Sequence, residues 1–310
     1  MQTTTPVQSD FWASKRRIEA FRKGLALAVI VVLSTVMIIP LAWMVAISLK
    51  DATNVFKLPP WDVDWRWSNY VAAWYPYGRP IATGDWWKDL IASFVEKESF
   101  WWYLGNTLFI TAMTTAGVVM TASLVAFGFA RLKFPMRDTL FIIVIGTMLV
   151  PAQVTMIPSY MLFSKLGWTD SWLPLIIPAW LGGGAYNVFL LRQFFMGIPH
   201  DLDEAAKIDG CSTFGIFWRI MLPLSLPSLV TVGVFAIVWS WNDFLGPLIY
   251  VKSSSMYTLA LGLAQFKSLA GDKTNQMMAA ATVVLLPILV LFFIGQRYFI
   301  QGIATTGLKG

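Results

Sequence analysis

The sequence predicts an all-α membrane protein with six transmembrane helices and both termini in the cytoplasm. Three observations carry this. Hydrophobic residues make up 57% of the 310-residue chain and charged residues only 13%, against about 25% charged in an ordinary soluble domain. The apolar residues gather into six long runs. Lys and Arg cluster beside the runs in the places that an even number of crossings puts on one side of the bilayer.

A helix needs about 20 mostly apolar residues to cross the hydrocarbon core, and its backbone groups must pair internally there. The candidate spans are 24–49, 104–130, 139–157, 171–191, 223–250 and 277–296. None alternates apolar and polar residues as a β-barrel strand would. The first is free of charge. The second is rich in small residues (Gly105, Ala112, Gly117, Ala122, Ala126, Gly128, Ala130), which suit close helix packing but are also common in membrane helices generally. The fourth is interrupted by Pro174, Pro178 and Gly182-Gly183-Gly184. The chain therefore divides into a cytoplasmic N-terminus (1–23), a first helix (24–49), an outer segment (50–103), a five-helix core (104–296) with a cytoplasmic loop at about 192–222, and a cytoplasmic tail (297–310).

The net charge is +6. No basic stripe exists, so nucleic acid is not an expected partner. The excess fits cytoplasmic segments facing anionic membrane lipid. Lys15, Arg16, Arg17, Arg22 and Lys23 precede the first run, Arg131, Lys133 and Arg137 follow the second, and Arg297 and Lys309 lie in the tail. The outer segment carries both signs and many tryptophans: Trp61, Trp65, Trp67, Trp74, Trp86, Trp87, Trp101 and Trp102. These suit anchoring at the membrane interface, with contact to a delivered solute or its carrier as the other reading. The first run is too long for a signal-peptide core and no small-residue cleavage pattern follows it, so a retained anchor is expected.

Chemistry on this chain is not expected. Cys211 is the one cysteine and His200 the one histidine, so no metal-ligand spacing exists and no metal site is predicted. There is no GxxxxGK[ST] phosphate loop and no nucleophile elbow. No catalytic residue and no cofactor is assigned. Asp243, beside Asn242, is the one ionisable residue within a candidate span. Such carboxylates face a partner or a cavity, so Asn242 and Asp243 are candidates either for a structural contact or for the wall of a solute path.

The loop 192–222 does not fit a lipid-facing reading. Asp201, Asp203, Glu204 and Asp209 make its middle acidic, and anionic lipid repels such a stretch. A protein partner fits better. Asp201 and Glu204 are compatible with a capping box after Pro199. Ala205 and Ala206 favour helix and allow close approach. Gly210 is placed to end the helix in the left-handed conformation, and Ser212 or Thr213 to cap a second helix holding Phe214, Phe217, Trp218 and Ile220. Pro223 then opens the fifth span. The expected product is a compact helix–turn–helix knob.

Glu204-Ala205-Ala206, Asp209-Gly210, and then Ile220, Leu222 and Pro223 resemble the EAA loop of the integral-membrane subunits of binding-protein-dependent ABC importers. Ala130-Arg131-Leu132-Lys133-Phe134-Pro135, Pro151, Ile157-Pro158, Tyr160, Leu166-Gly167, Trp241-Asn242-Asp243-Phe244 and Pro247 resemble further stretches of the carbohydrate-importing members. Gln296-Arg297-Tyr298-Phe299, Gly302 and Lys309-Gly310 are similar to the tail of the maltose-permease G type, although Ala304-Thr305-Thr306-Gly307 departs from it. The resemblance implies the type I ABC importer permease fold. It implies a second permease subunit as heterodimer partner, an ABC ATPase dimer carrying the ATP and Mg, and an extracytoplasmic solute-binding protein. The eight EAA-loop residues would couple the ATPase to the spans, moving a di- or oligosaccharide or a polyol phosphate by alternating access. An ion-coupled secondary transporter is the alternative, but it would need intramembrane charges or paired broken helices, for which Asp243 and the glycine triplet are the available material.

Overall fold

The computed structural model describes residues 15–59, 61–74, 99–268 and 273–307. Among these the chain is helical throughout, without a strand. Helix α1 runs Lys15–Ser48, α2 Ser68–Ala73 and α3 Phe100–Arg131. Helices α4 (Arg137–Gly146) and α5 (Ala152–Lys165) follow, then α6 (Leu173–Ile176) and α7 (Ala185–Gly197). A small cluster comes next: α8 (Asp201–Ile208), α9 (Thr213–Ile216) and α10 (Leu222–Leu224). The chain closes with α11 (Leu226–Trp241), α12 (Leu245–Tyr250), α13 (Leu259–Ser268) and α14 (Thr274–Gly307).

Four stretches are long and apolar enough to cross a membrane: Ile18–Ser48, Phe100–Arg131, Leu173–Gly197 and Thr274–Gln296. Two bent pairs raise the number to six if each is one span. In the first, Arg137–Leu149 meets Ala152–Lys165 at 97°. The run 139–157 was expected to be one helix. Pro151 interrupts it, because proline lacks an N–H and pushes the residue before it out of the helical region; Val150 is extended, at ψ 116°. In the second, Thr213–Leu224 meets Leu226–Trp241 at 79°. Pro223 therefore sits in α10, and the long helix of the fifth run starts three residues later, with Pro227 in its first turn. That helix also ends early. Asn242–Phe244 breaks it before α12.

Helix α3 is the axis of the bundle. Val118, Ala122, Ala126, Phe127 and Ala130 on it pack with Val188, Leu191 and Phe195 of α7 and with Val232 and Ala236 of α11. The small-residue expectation for this helix divides. Gly117, Ala122, Ala126 and Ala130 are buried, whereas Gly105 and Ala112 face outward. Lipid tails give apolar helices little reason to associate, so packing and interhelical hydrogen bonds carry the load. The proline- and glycine-broken stretch beside α3 supplies such bonds. Pro178 cannot donate to a preceding carbonyl, and the Leu175 carbonyl instead accepts from Thr114 Oγ1 at 3.3 Å. The Ala179 carbonyl accepts from Thr121 Oγ1 at 3.1 Å, and Trp180 Nε1 donates to the Met113 carbonyl at 3.1 Å. Each is worth about 0.6–2 kcal/mol in a membrane setting.

At the opposite end from α8–α10, Phe100, Tyr103, Trp241, Leu259, Ala279 and Ala280 form a second core. There Asn69 of α2 donates to the Ser48 and Lys50 carbonyls, both at 2.8 Å, and Asn275 donates to the Lys50 carbonyl at 3.1 Å. The end of α1 and the start of α14 are thereby stitched together through α2. Of the tryptophans, Trp61, Trp65 and Trp67 are exposed. Trp74 stacks on Trp101 with centroids 4.5 Å apart, and Trp102 Nε1 donates to the Ser255 carbonyl at 2.6 Å. Trp86 and Trp87 lie outside the described residues.

Candidate functional site

Helices α8 to α10 form a knob between α7 and α11. Helix α8 starts with three acids in its first turn (Asp201, Asp203, Glu204) and has Lys207 in its last, the charge order that a helix dipole favours. Its N-cap is His200, whose side chain makes no capping bond, and the His200 carbonyl accepts from Asp203 N and Glu204 N. The expected capping box of Asp201 and Glu204 is therefore not formed. Asp201 is already inside the helix.

The C-terminal end is as the glycine signalled. Gly210 has φ +79°. Its N–H donates to the Lys207 carbonyl at 3.0 Å, and Cys211 N–H donates to the Ala206 carbonyl at 2.8 Å. These two bonds make a Schellman motif, completed by the burial of Ala206 with half-buried Cys211 in one apolar cluster. Ser212 caps the second helix, its Oγ accepting from Gly215 N–H at 3.1 Å. A single π turn, Phe217–Met221, leads into α10. Ile216, Phe217 and Met221 are buried against α3 and α7, with Phe127 and Phe217 rings 5.2 Å apart.

The knob thus has two faces. Glu204, Ala205, Asp209 and Gly210 are exposed, beside Leu202, Ile208, Phe214 and Trp218. Ile208 is 87% exposed, so the outward face combines acidic residues with large apolar side chains. Ile220 and Leu222 are half-buried and pack on the core, while Pro223 is exposed at the elbow. The inner face carries Ala206 and, less expected, Asp203.

Asp203 is held by Arg131, the last residue of α3. Arg131 Nη1 lies 3.2 Å from Asp203 Oδ2, with side chains 2% and 10% exposed. The same nitrogen is 2.8 Å from His200 Nδ1. Arginine has only donors, so in this contact Nδ1 is the acceptor. Arg131 Nη2 donates to the Phe195 carbonyl at 2.8 Å and the Ile198 carbonyl at 2.7 Å. One guanidinium therefore joins α3, the end of α7 and α8. A second arginine, Arg192, reinforces this end, its guanidinium 3.9 Å above the Phe141 ring and 3.9 Å from Asp138 Oδ1.

Asn242 and Asp243 lie at the far end of α11 from the knob, about 24 Å away for a 16-residue helix. Asn242 is exposed and donates to the Val238 carbonyl at 2.8 Å. Asp243 is half-buried, and its Oδ1 accepts from Gly246 N–H at 3.0 Å, so its carboxylate caps the start of α12. The structure brings neither to the other site residues. Sequence reasoning placed Arg131 and Asp203 only as a cytoplasmic positive charge and one acid among several. Their pairing spans 72 residues, and no local signal announces it.

These features define a multi-pass helical membrane protein with a compact helical knob between two of its apolar stretches. The chain belongs to the family of binding-protein-dependent transport system inner membrane components, whose sequence profile matches residues 118–305. It is an inner-membrane transport subunit with the ABC importer permease fold. It is 30% identical over 273 residues to the probable ABC transporter permease YurM of Bacillus subtilis, covering 87% of this chain and 83% of that one. It is 35% identical over 222 residues to the arabinooligosaccharide transport permease AraQ of Halalkalibacterium halodurans, covering 72% and 79%. In fold it matches a crystal structure of a bacterial ABC transporter that imports the polysaccharide alginate, with TM-score 0.72 at 20% identity, covering 94% of this chain and all of the other.

Proposed function

We propose that this chain is one half of the membrane pathway of an ATP-driven carbohydrate importer, and that its knob is the part a partner ATPase grips. The observation that carries the reading is the two-faced knob. Glu204, Ala205, Ile208 and Asp209 point outward, while Asp203, Ala206, Ile216 and Phe217 seat the same element on α3 and α7. An exposed acidic and apolar surface suits a basic-rimmed cleft on another protein, and its rigid seating lets force pass inward.

In this mechanism a second permease subunit completes the pathway and a solute-binding protein delivers sugar at the far end. Closure of the ATPase dimer on ATP and Mg drives two knobs together and opens the spans outward; hydrolysis resets them. The relatives named for arabinooligosaccharides and for sn-glycerol-3-phosphate (31% identical, in Yersinia enterocolitica) support a hydroxyl-rich solute. A solute screen for ATPase stimulation, on the complex purified with its neighbouring subunits, identifies which one.

The test of docking is substitution on the exposed face. Glu204→Lys and Gly210→Asp should abolish uptake while the protein still reaches the membrane. Undiminished transport by both variants sinks the reading.

A further inference from the structure

We propose that the Arg131–Asp203 pair is a positioning latch that carries knob motion directly into α3 and α7. This rests on the knob being the ATPase-docking element. The covalent route onward from the knob leads into α11, but it is jointed. It passes a π turn at Phe217–Met221 and a 79° elbow at Ser225. The route back into α7 turns at the extended Ile198, and no chain connection joins the knob directly to α3. A jointed arm turns part of any push into bending. The latch has no such joint. Arg131 is the terminal residue of α3, and its guanidinium reaches Asp203 in the first turn of α8 and two carbonyls at the C-terminal end of α7, those of Phe195 and the C-cap Ile198.

Residue type and burial fit that role. The planar fork of arginine can serve an acid on one nitrogen and two carbonyls on the other, which the point charge of lysine cannot. Both side chains are nearly excluded from solvent, where an ion pair is stiff and poorly screened. Each also keeps one buried polar atom, Arg131 Nε and Asp203 Oδ1, without a partner among the described residues. The pair can therefore change register as the knob turns and still remain engaged.

The experiment uses the whole complex, with ATPase and second permease, in nanodiscs. Cys211 is first replaced by Ser. Spin labels at Leu124→Cys on α3 and Val238→Cys on α11, both exposed positions, report the separation of the two helices with and without ATP plus vanadate. Ala205→Cys, in a separate sample, reports ATPase contact by cross-linking. The expected result is an ATP-driven distance change in the parent. In Asp203→Asn the cross-link persists, but the population making the change falls by about tenfold, the size of an ordinary coupling between sites. Arg131→Lys should lose part of it, and the charge-swapped Arg131→Asp, Asp203→Arg double should regain part. An unaltered distance change in Asp203→Asn and Arg131→Lys overturns the latch. So does failure of both to reach the membrane without rescue by the swap, which would make the pair a folding element. Absence of the Ala205→Cys cross-link in the parent instead overturns the docking reading beneath it.

Discussion

Gly183 backs directly onto Ala122. A methyl group placed on Gly183 would meet the Ala122 Cβ at 2.5 Å and the Ala122 backbone nitrogen at 2.6 Å, and Gly183 has φ +69°. Both the contact and the backbone angle demand glycine here. The approach brings the broken stretch between α6 and α7 onto α3, where Thr114 and Thr121 can reach its carbonyls. Gly183→Ala should destabilise the detergent-purified protein by at least about 1–3 kcal/mol, the usual cost of overpacking. Gly105→Ala, a helical position with open space around it, should leave the thermal midpoint unchanged or raised. Equal midpoints for the two variants would contradict this packing.

The end of the knob helix gives a prediction of a different kind. Gly210 has no heavy atom near its would-be Cβ, so its requirement is conformational alone. A β-branched side chain in the left-handed region costs about 1–2 kcal/mol, whereas Asn visits it readily. Gly210→Val should therefore raise the rate of limited tryptic cleavage at exposed Lys207 by about 5- to 30-fold, and Gly210→Asn by much less. Indistinguishable cleavage rates would show that the Schellman bonds do not hold the knob together.

The Gly210 stop and the Ser212 cap were legible because glycine and serine act on their own neighbours. The helix start was not. Asp203 is drawn inward by Arg131, so the helix begins at His200 instead of on an Asp201–Glu204 box, and that choice depends on a residue in another span. Run lengths had the same limit. Hydropathy measures how far a chain stays apolar, not whether it keeps direction. The run 139–157 stays apolar through the bend at Pro151, and 223–250 through the elbow at Ser225, while the polar pair Asn242-Asp243 at its later break is too short to divide an apolar run.

Asp170 predicts a pH dependence. It lies between α5 and α6 and clasps the loop after α12, accepting from Ser253 Oγ at 2.6 Å, Ser253 N at 2.8 Å and Lys252 N at 2.9 Å. The Ser253 hydroxyl, then the two backbone N–H groups, hold its carboxyl below the ordinary aspartate value of 3.8. A carboxylate with a depressed folded pKa contributes stability that is fully present above the ordinary value and lost as pH falls through the depressed one. The thermal midpoint of Asp170→Asn should thus lie below the parent at neutral pH, and the gap should close only below pH 3.8. A gap that persists unchanged into strong acid would assign the effect to something other than the charge.

Trp239 on α11 is 81% exposed, Leu181 is 80% exposed, and Tyr186, at 48%, leans on Phe235 with centroids 6.4 Å apart. The contact aligns this face with the helix breaks at Gly182–Gly184 and Asn242–Phe244. Exposed apolar residues on an unbroken helix suit lipid. Non-helical backbone does not, because its polar groups find no partner in hydrocarbon, so at membrane depth it must border protein or a water-filled cavity. Trp239 should accordingly face the pathway shared with the second permease. In a Cys211→Ser background, Trp239→Cys should react with a membrane-impermeant thiol reagent in the assembled complex, faster in one nucleotide state than in the other. Met120→Cys, on the exposed side of unbroken α3, should stay unreactive. Reaction of neither cysteine would turn this face of α11 toward lipid and separate Trp239 from the solute.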